Sequence, residues 1–271
     1  MRIGTGQHRL SRLREDHDAS RPPRDRKITK MKRFALSGAL LAAMSTGAAA
    51  QSPGWEFEAR VYLWGTEMMA MTATGQDADL SFGDILETLD FALMGGLEAR
   101  NGRWSFLGDL QYLELSEDLN IAVGPGIPAT ADADMDGLIF TGAVGYDAVQ
   151  SESYRLTPFA GFRYLDVNAT ANLTVGGGSA RVSTDRTNFD GILGVRGGTQ
   201  LSDRWRLSFY ADVGTGDSDL TWQLAGTLDY EINETWTLSV GYRHLAWEFD
   251  DPVVLRDVSL SGPIIGTRIK F

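Results

Sequence analysis

The sequence predicts an all-β chain that closes into a transmembrane, antiparallel, up-and-down β-barrel of about ten strands, with eight as the alternative count. Three observations carry this expectation. Apolar and polar residues alternate with a period of two over most of the chain after residue 50, as the two faces of a strand require. The connections between the alternating runs are tight at one end and long at the other. Aromatic residues recur at the ends of the runs, on the parity that the apolar residues set independently.

The first 50 of the 271 residues stand apart. They hold 11 Lys or Arg against 4 Asp or Glu, whereas residues 51–271 hold 14 basic and 32 acidic side chains. Met31-Lys32-Arg33 is a basic start, Phe34 to Ala43 is an apolar core, and Ala48-Ala49-Ala50 fits small-residue cleavage before Gln51. Residues 31–50 therefore read as a secretory signal peptide, too short in its apolar core for a membrane helix. Residues 1–30 read as an over-long start or an extended basic region. Residues 51–271 form a single barrel domain. The chain has no cysteine, which excludes disulfides, thiolate metal sites and a cysteine nucleophile. Its acidic balance argues against a nucleic-acid partner.

The strands follow in order. Trp55 to Leu63 places Trp55, Phe57, Ala59, Val61 and Leu63 on one face, with Glu56, Glu58 and Arg60 on the other. Phe91, Leu93, Leu97 and Ala99 oppose Glu98 and Arg100. Trp104, Phe106, Leu110 and Tyr112 oppose Asp109 and Gln111. Leu138 to Asp147 and Tyr154 to Tyr164 alternate in the same way, the second placing Arg163 on the polar face. Phe189, Leu193 and Val195 oppose Asp190 and Arg196. Trp205 to Val213 opposes its apolar set to Arg206 and Asp212. Leu220 to Tyr230 does so with Asp229, Trp236 to Tyr242 with Arg243, and Ile265 to Phe271 with Arg268. Runs of this length are what a tilted membrane strand needs.

Asn101-Gly102 is a tight-hairpin signal, and Gln150 to Ser153, Ser202-Asp203 and Asn233-Glu234 are also short. Residues 65–89, 116–136 and 168–187 read as long loops at the opposite end. Trp55, Trp104, Tyr154, Trp205, Tyr230 and Trp236 mark the interface at the short-turn end, where amphipathic rings favour the headgroup level. From Trp104 to Tyr112 is about 26 Å along a strand, close to the apolar band of a barrel.

The final run, Gly262-Pro263-Ile264-Ile265-Gly266-Thr267-Arg268-Ile269-Lys270-Phe271, resembles the C-terminal strand of Gram-negative outer-membrane β-barrel proteins. The segment from Phe82 to Leu115 resembles a group of small proteobacterial proteins of that class. The resemblance implies an outer-membrane location. It implies contact with outer-membrane lipids and lipopolysaccharide, and dealings with periplasmic chaperones and the barrel-assembly machinery. Phe271 would then be the assembly signal. The porin-like architecture covers all of 51–271.

Little chemistry accompanies this architecture. His244 is the one histidine after residue 50 and shares the apolar parity of Val240 and Tyr242, so it is expected to face lipid. The Asp-x-His motif of omptin proteases and the His-x-Ser motif of lipid A deacylases are both absent, because Tyr242 and Ala246 stand two residues to either side of His244. Asp132, Asp134 and Asp136 resemble half of a calcium loop, but the twelfth position is Ala143 rather than Glu. No catalytic residue, metal or cofactor is expected. The lumen should instead hold a structural charge network of Arg60, Asp109, Arg163, Asp190, Arg196, Asp212, Asp229, Arg243 and Arg268, with Arg60, Arg196 and Arg243 paired to Asp109, Asp212 and nearby carboxylates in a mid-barrel layer. The expected function is that of a structural or interaction barrel. A narrow channel or carrier for small or amphipathic solutes is the alternative, and a lipid-modifying or proteolytic enzyme a distant one.

Replacing Phe271 with Asp, or deleting it, should reduce outer-membrane insertion. Loss of the heat-modifiable, membrane-embedded form on gels checks this; unchanged insertion would count against a barrel closed by its last strand.

Overall fold

The computed structural model describes residues 54–72, 77–122, 128–175, 178–249 and 255–271. Both N-terminal segments, 1–30 and 31–50, lie outside the described residues. The elements are β1 (Trp55–Trp64), β2 (Glu67–Thr72), β3 (Asp77–Leu80), α1 (Phe82–Glu87), β4 (Leu89–Asn101), β5 (Trp104–Ala122), β6 (Pro128–Tyr146), β7 (Val149–Gln150), β8 (Tyr154–Val175), β9 (Gly178–Gln200), β10 (Trp205–Gly216), β11 (Leu220–Glu231), β12 (Trp236–Glu248) and β13 (Leu255–Lys270).

Ten of these strands form the wall, in the order β1-β4-β5-β6-β8-β9-β10-β11-β12-β13, and β13 pairs back onto β1. Every pairing is antiparallel. Closure runs from Glu58↔Lys270 to Trp64↔Ile264. It is finished by Phe271, whose backbone exchanges hydrogen bonds with Phe57 while their rings stack at 6.2 Å. Closure removes the free sheet edges that a bilayer forbids to a β-structure, except above Val61↔Gly95, where the β1–β4 ladder ends.

The two faces follow the sequence parity. Leu193, Leu207, Leu224, Leu238, Val240 and Ile265 are exposed on the outer face, whereas Arg163, Asp190, Asp229 and Arg243 are buried on the inner one. At the short-turn end, Trp104 meets Tyr146 at 5.1 Å and Trp205 meets Tyr230 at 4.8 Å on the outer face. Trp55 and Trp236 are exposed beside them. The first hairpin turns through Gly102 and Arg103, because Asn101 pairs with Trp104; Gly102 has φ 58°, a conformation glycine adopts without strain.

The long connections differ from the expectation. Residues 116–136 and 168–187 are mostly strand, not loop. β5 and β6 remain paired up to Ala122↔Pro128, and β8 and β9 up to Val175↔Gly178. The cause is visible in Asn168-Ala169-Thr170-Ala171-Asn172-Leu173-Thr174-Val175, where alternation continues with strand-favouring Thr and Val. The ladder satisfies backbone groups that an open loop would leave to water. One wall therefore rises well beyond its opposite side, since β8 has 22 residues and β11 only 12. The stretch 65–89 contains β2, β3 and α1.

Leu207→Arg and Leu238→Arg, two residues above Trp205 and Trp236, should each destabilise the folded barrel by about 1–2 kcal/mol, between the costs of arginine at the interface and at the bilayer midplane. Ser208→Arg, one residue away and beside Asp229, should cost far less. Equilibrium unfolding in urea measures both; equal losses at the two parities would contradict the assignment of faces.

Candidate functional site

Among the described residues the lumen gathers arginines and carboxylates from most of the wall strands, and it is layered. Nearest the short-turn end lie three carboxylates, each held by several donors. Glu98 receives both Nη atoms of Arg196 at 2.6 and 2.8 Å, Arg100 at 2.6 Å, and Arg60 at 3.5 Å. Asp147 is approached by Arg100 at 3.2 Å and Arg155 at 3.4 Å, and accepts from Thr157. Asp229 receives Arg268 at 2.8 Å and Thr227 at 3.0 Å, and accepts from Ser208. The planar guanidinium fork suits such sharing, so one carboxylate can gather several strands.

At mid-height Arg243 reaches across the lumen. Its guanidinium donates to Gln223 at 2.6 and 3.0 Å, to the Tyr62 hydroxyl at 3.1 Å, and to Asp109 and Gln111 at 3.4 Å. Tyr62 donates to Asp109 at 2.8 Å, and Gln111 donates to both Tyr62 and Asp109. These partners come from β1, β5 and β11, opposite and adjacent to β12, so one side chain ties the cross-section together. Beside this layer Arg163 pairs with Asp212, and both side chains are 0% exposed. Arg163 also donates to Thr221 at 2.8 Å.

Above Arg243 the lumen becomes apolar. Trp64, Met94, Ile139, Leu165, Leu245, Trp247 and Phe249 form one buried cluster, and Arg243 lies over the Trp64 ring at 4.6 Å. Below Arg243 a cavity of about 900 Å³ opens toward the short-turn end. Its lining extends from Glu56 and Lys270 up to Tyr62, Asp109, Gln223 and Arg243, and takes in none of the buried residues of the apolar cluster. The lumen is thus a blind vestibule with a charged wall, a hydrogen-bonded roof and an apolar seal above it.

All nine residues expected in the lumen network face inward, but some partners differ. Arg243 and Asp109 meet. Arg60 and Arg196 take a nearby inward carboxylate, Glu98, rather than Asp109 or Asp212. Asp212 takes Arg163, its neighbour at mid-wall. Asp190 is fully buried yet has no arginine partner; it accepts from Asn188 and from the Ser218 backbone N–H at 3.0 Å. Glu98, Asp147 and Gln111 lie on the polar parity that the sequence shows, outside the nine network residues, and Tyr62 carries no sequence signal for its lumen role. The apolar cluster was not foreseen either, although Leu138-Ile139-Phe140 and Leu245-Ala246-Trp247, apolar on both parities, signal it.

His244 faces outward near the loop end, against Trp222 at 4.4 Å and with Nδ1 beside the Ser261 hydroxyl. Asp132, Asp134 and Asp136 lie on β6, a paired strand that cannot wrap an ion. Among the described residues no group of three or more His, Asp or Glu is placed to hold a metal.

Residues 69–217 match the family described as Autotransporter beta-domain. The translocator domain of autotransporter NalP from Neisseria meningitidis superposes with a TM-score of 0.50 at 13% identity, covering 90% of this chain and 98% of that one. The outer-membrane protease OmpT from Escherichia coli gives a TM-score of 0.48 at 10% identity, covering 83% and 100%. No curated protein sequence matches. At 13% identity the NalP domain speaks to fold alone.

Asp212→Ala should leave Arg163 buried without its counter-charge and cost about 3–5 kcal/mol. Arg163→Met combined with Asp212→Leu should recover most of that loss, because the desolvation cost disappears with the pair. Thermal or urea unfolding of the two variants provides the comparison; a single variant as stable as the wild type would show that water reaches the pair.

Proposed function

We propose, for a chain that belongs to the autotransporter beta-domain family, a closed outer-membrane barrel with a structural or interaction role and no open pore. The protein is an integral outer-membrane β-barrel; the finer role is our reading. The observation that carries it is the Arg243 layer, which joins β1, β5, β11 and β12 across the lumen directly beneath the apolar cluster. A polypeptide or a hydrated ion crossing the barrel would have to break that layer and then pass through packed Trp64, Leu245 and Trp247.

In this reading the barrel works through its surfaces. The outer aromatic girdles and exposed apolar wall meet outer-membrane lipid, and the tall β5-β6-β8-β9 wall presents an acidic surface, Asp132, Asp134 and Asp136 included, toward lipopolysaccharide. Chaperones and the assembly machinery would engage the chain through its last strand and Phe271 during biogenesis. The reading assigns no catalysis: His244 is on the lipid face and away from the vestibule, and no cofactor is invoked.

Single-channel recording of the refolded protein in planar bilayers tests this. The wild type should conduct close to the bilayer baseline, and Arg243→Ala should raise conductance while lowering thermal stability. Large conductance in the wild type at neutral pH, with Arg243→Ala changing only ion selectivity, would replace the closed barrel by a channel.

A further inference from the structure

The wall is not stitched over its full height. β1 pairs with β4 only from Trp55↔Asn101 to Val61↔Gly95. Above that level Tyr62, Leu63 and Trp64 pair with β13 alone, and Leu89 to Met94 pair with β5 alone. Gly65 still donates to the Pro263 carbonyl of β13 at 2.9 Å, while the Thr66 N–H turns back to the Trp64 carbonyl at 3.0 Å. β2 resumes the pairing with β13, from Glu67↔Ser261 to Leu255↔Thr72, and β3 pairs only with β2. Among the described residues no ladder joins β2 or β3 to β4, so a seam remains between β1 and β4 in the loop-end half.

This seam lies at membrane depth. Phe91 on β4 contacts Tyr112 at 6.0 Å on the outer face, which marks the upper aromatic girdle, and Leu63 is 65% exposed just below. Backbone groups facing hydrocarbon without partners are costly, so such a seam must be covered. The cover is α1. Its Ser81–Asp84 capping box makes it self-contained, with Asp84 accepting from the Ser81 backbone N–H at 2.9 Å. Phe82 lies against Gly65, where an added Cβ would come within 3.1 Å of the ring. Ile85 is buried, whereas Leu86 is 53% exposed. A Cβ at position 65 would need the Phe82 ring to give by a few tenths of an ångström.

Directly inside the seam are Trp64 and Met94, members of the apolar cluster that seals the lumen. That cluster contains two buried indole N–H groups, Trp64 Nε1 and Trp247 Nε1, with no hydrogen-bond partner. The two residues are only 5% and 1% exposed. A buried donor left unpaired is a standing cost. An oxygen-bearing head on an apolar tail would relieve it, with the tail among Met94, Ile139 and Leu165.

We infer that the β1–β4 seam is a lateral entry site for a single-chain amphiphile with a carboxyl head, arriving from the lipid around the barrel. The acyl chain passes between Leu63 and Leu93, the carboxyl oxygens accept from the Trp64 and Trp247 indoles, and the Arg243 guanidinium beneath Trp64 favours the negative head. α1 is the stopper that yields to admit it. The site goes beyond the closed-lumen reading and requires no conduction, since it lies above the Arg243 layer.

The absence of native cysteine makes the test clean. The refolded full-length chain carrying Gly65→Cys and Phe82→Cys would be titrated with a dansyl-labelled long-chain fatty acid in detergent, with unlabelled palmitate as competitor, in oxidised and reduced forms. Saturable, palmitate-competed binding should appear in the wild type and the reduced pair, and fall at least about tenfold when the disulfide ties α1 to the wall. Trp64→Phe and Trp247→Phe, which keep ring packing, should each weaken binding about fivefold, the worth of one hydrogen bond. Folded protein is verified by heat-modifiable migration in every case. Absence of saturable binding in the wild type would overturn the site, as would equal affinity in oxidised and reduced forms with neither Trp change having an effect. A wild type that conducts ions yet binds palmitate refutes only the closed lumen; one that does neither refutes only the site.

Discussion

The barrel depends on one constraint: inside a bilayer, each backbone N–H and C=O has to find a partner in the chain itself. The ladder between β1 and β13 meets that constraint, and Phe271 finishes it with reciprocal bonds to Phe57. Once β13 lies on β1, parity is fixed around the circle. A register slip of one residue would turn Leu207, Leu224 and Leu238 into the lumen and Asp212 and Asp229 into lipid. Closure therefore creates the second problem, a narrow interior that must accommodate the charged half of every strand.

The interior solves that problem by sharing. Glu98 takes three arginines and Arg243 takes donors' places toward four side chains, so charges from distant strands stabilise each other where water is scarce. The same arrangement leaves the lower half open as a vestibule and makes the middle impassable. Above it the protein changes strategy and packs apolar residues, which need no partners. The two orphaned indoles and the incomplete β1–β4 ladder occur together in that upper half.

Much of this was legible in the sequence. Period-two alternation gave the strands and their faces, and the placement of Trp104, Tyr146, Trp205 and Tyr230 on the apolar parity gave the interface at the short-turn end. What escaped has physical reasons. Which arginine meets which carboxylate depends on stagger between strands, and counting residues from Trp55 or Trp104 measures height along a strand, not around a tilted barrel. Asp212 thus found Arg163, and Arg60 and Arg196 found Glu98. The apolar seal was hidden because Ile139, Leu165 and Leu245 sit within runs that are apolar on both parities, and alternation is silent there. The height of the β5-β6-β8-β9 wall is hidden because residues 116–136 and 168–187 read as loops, although Thr and Val continue the strand pattern there.

The central claim is that the Arg243 layer divides the lumen into a wet compartment and a dry one. Single cysteines can be placed on either side of it, at Thr227 on the vestibule wall and at Val167 against the apolar cluster. A charged, membrane-impermeant thiol reagent confined to the short-turn side of reconstituted vesicles should label Thr227→Cys rapidly and leave Val167→Cys unreacted. Comparable labelling of both positions from that side would contradict the division and show a continuous aqueous path through the barrel.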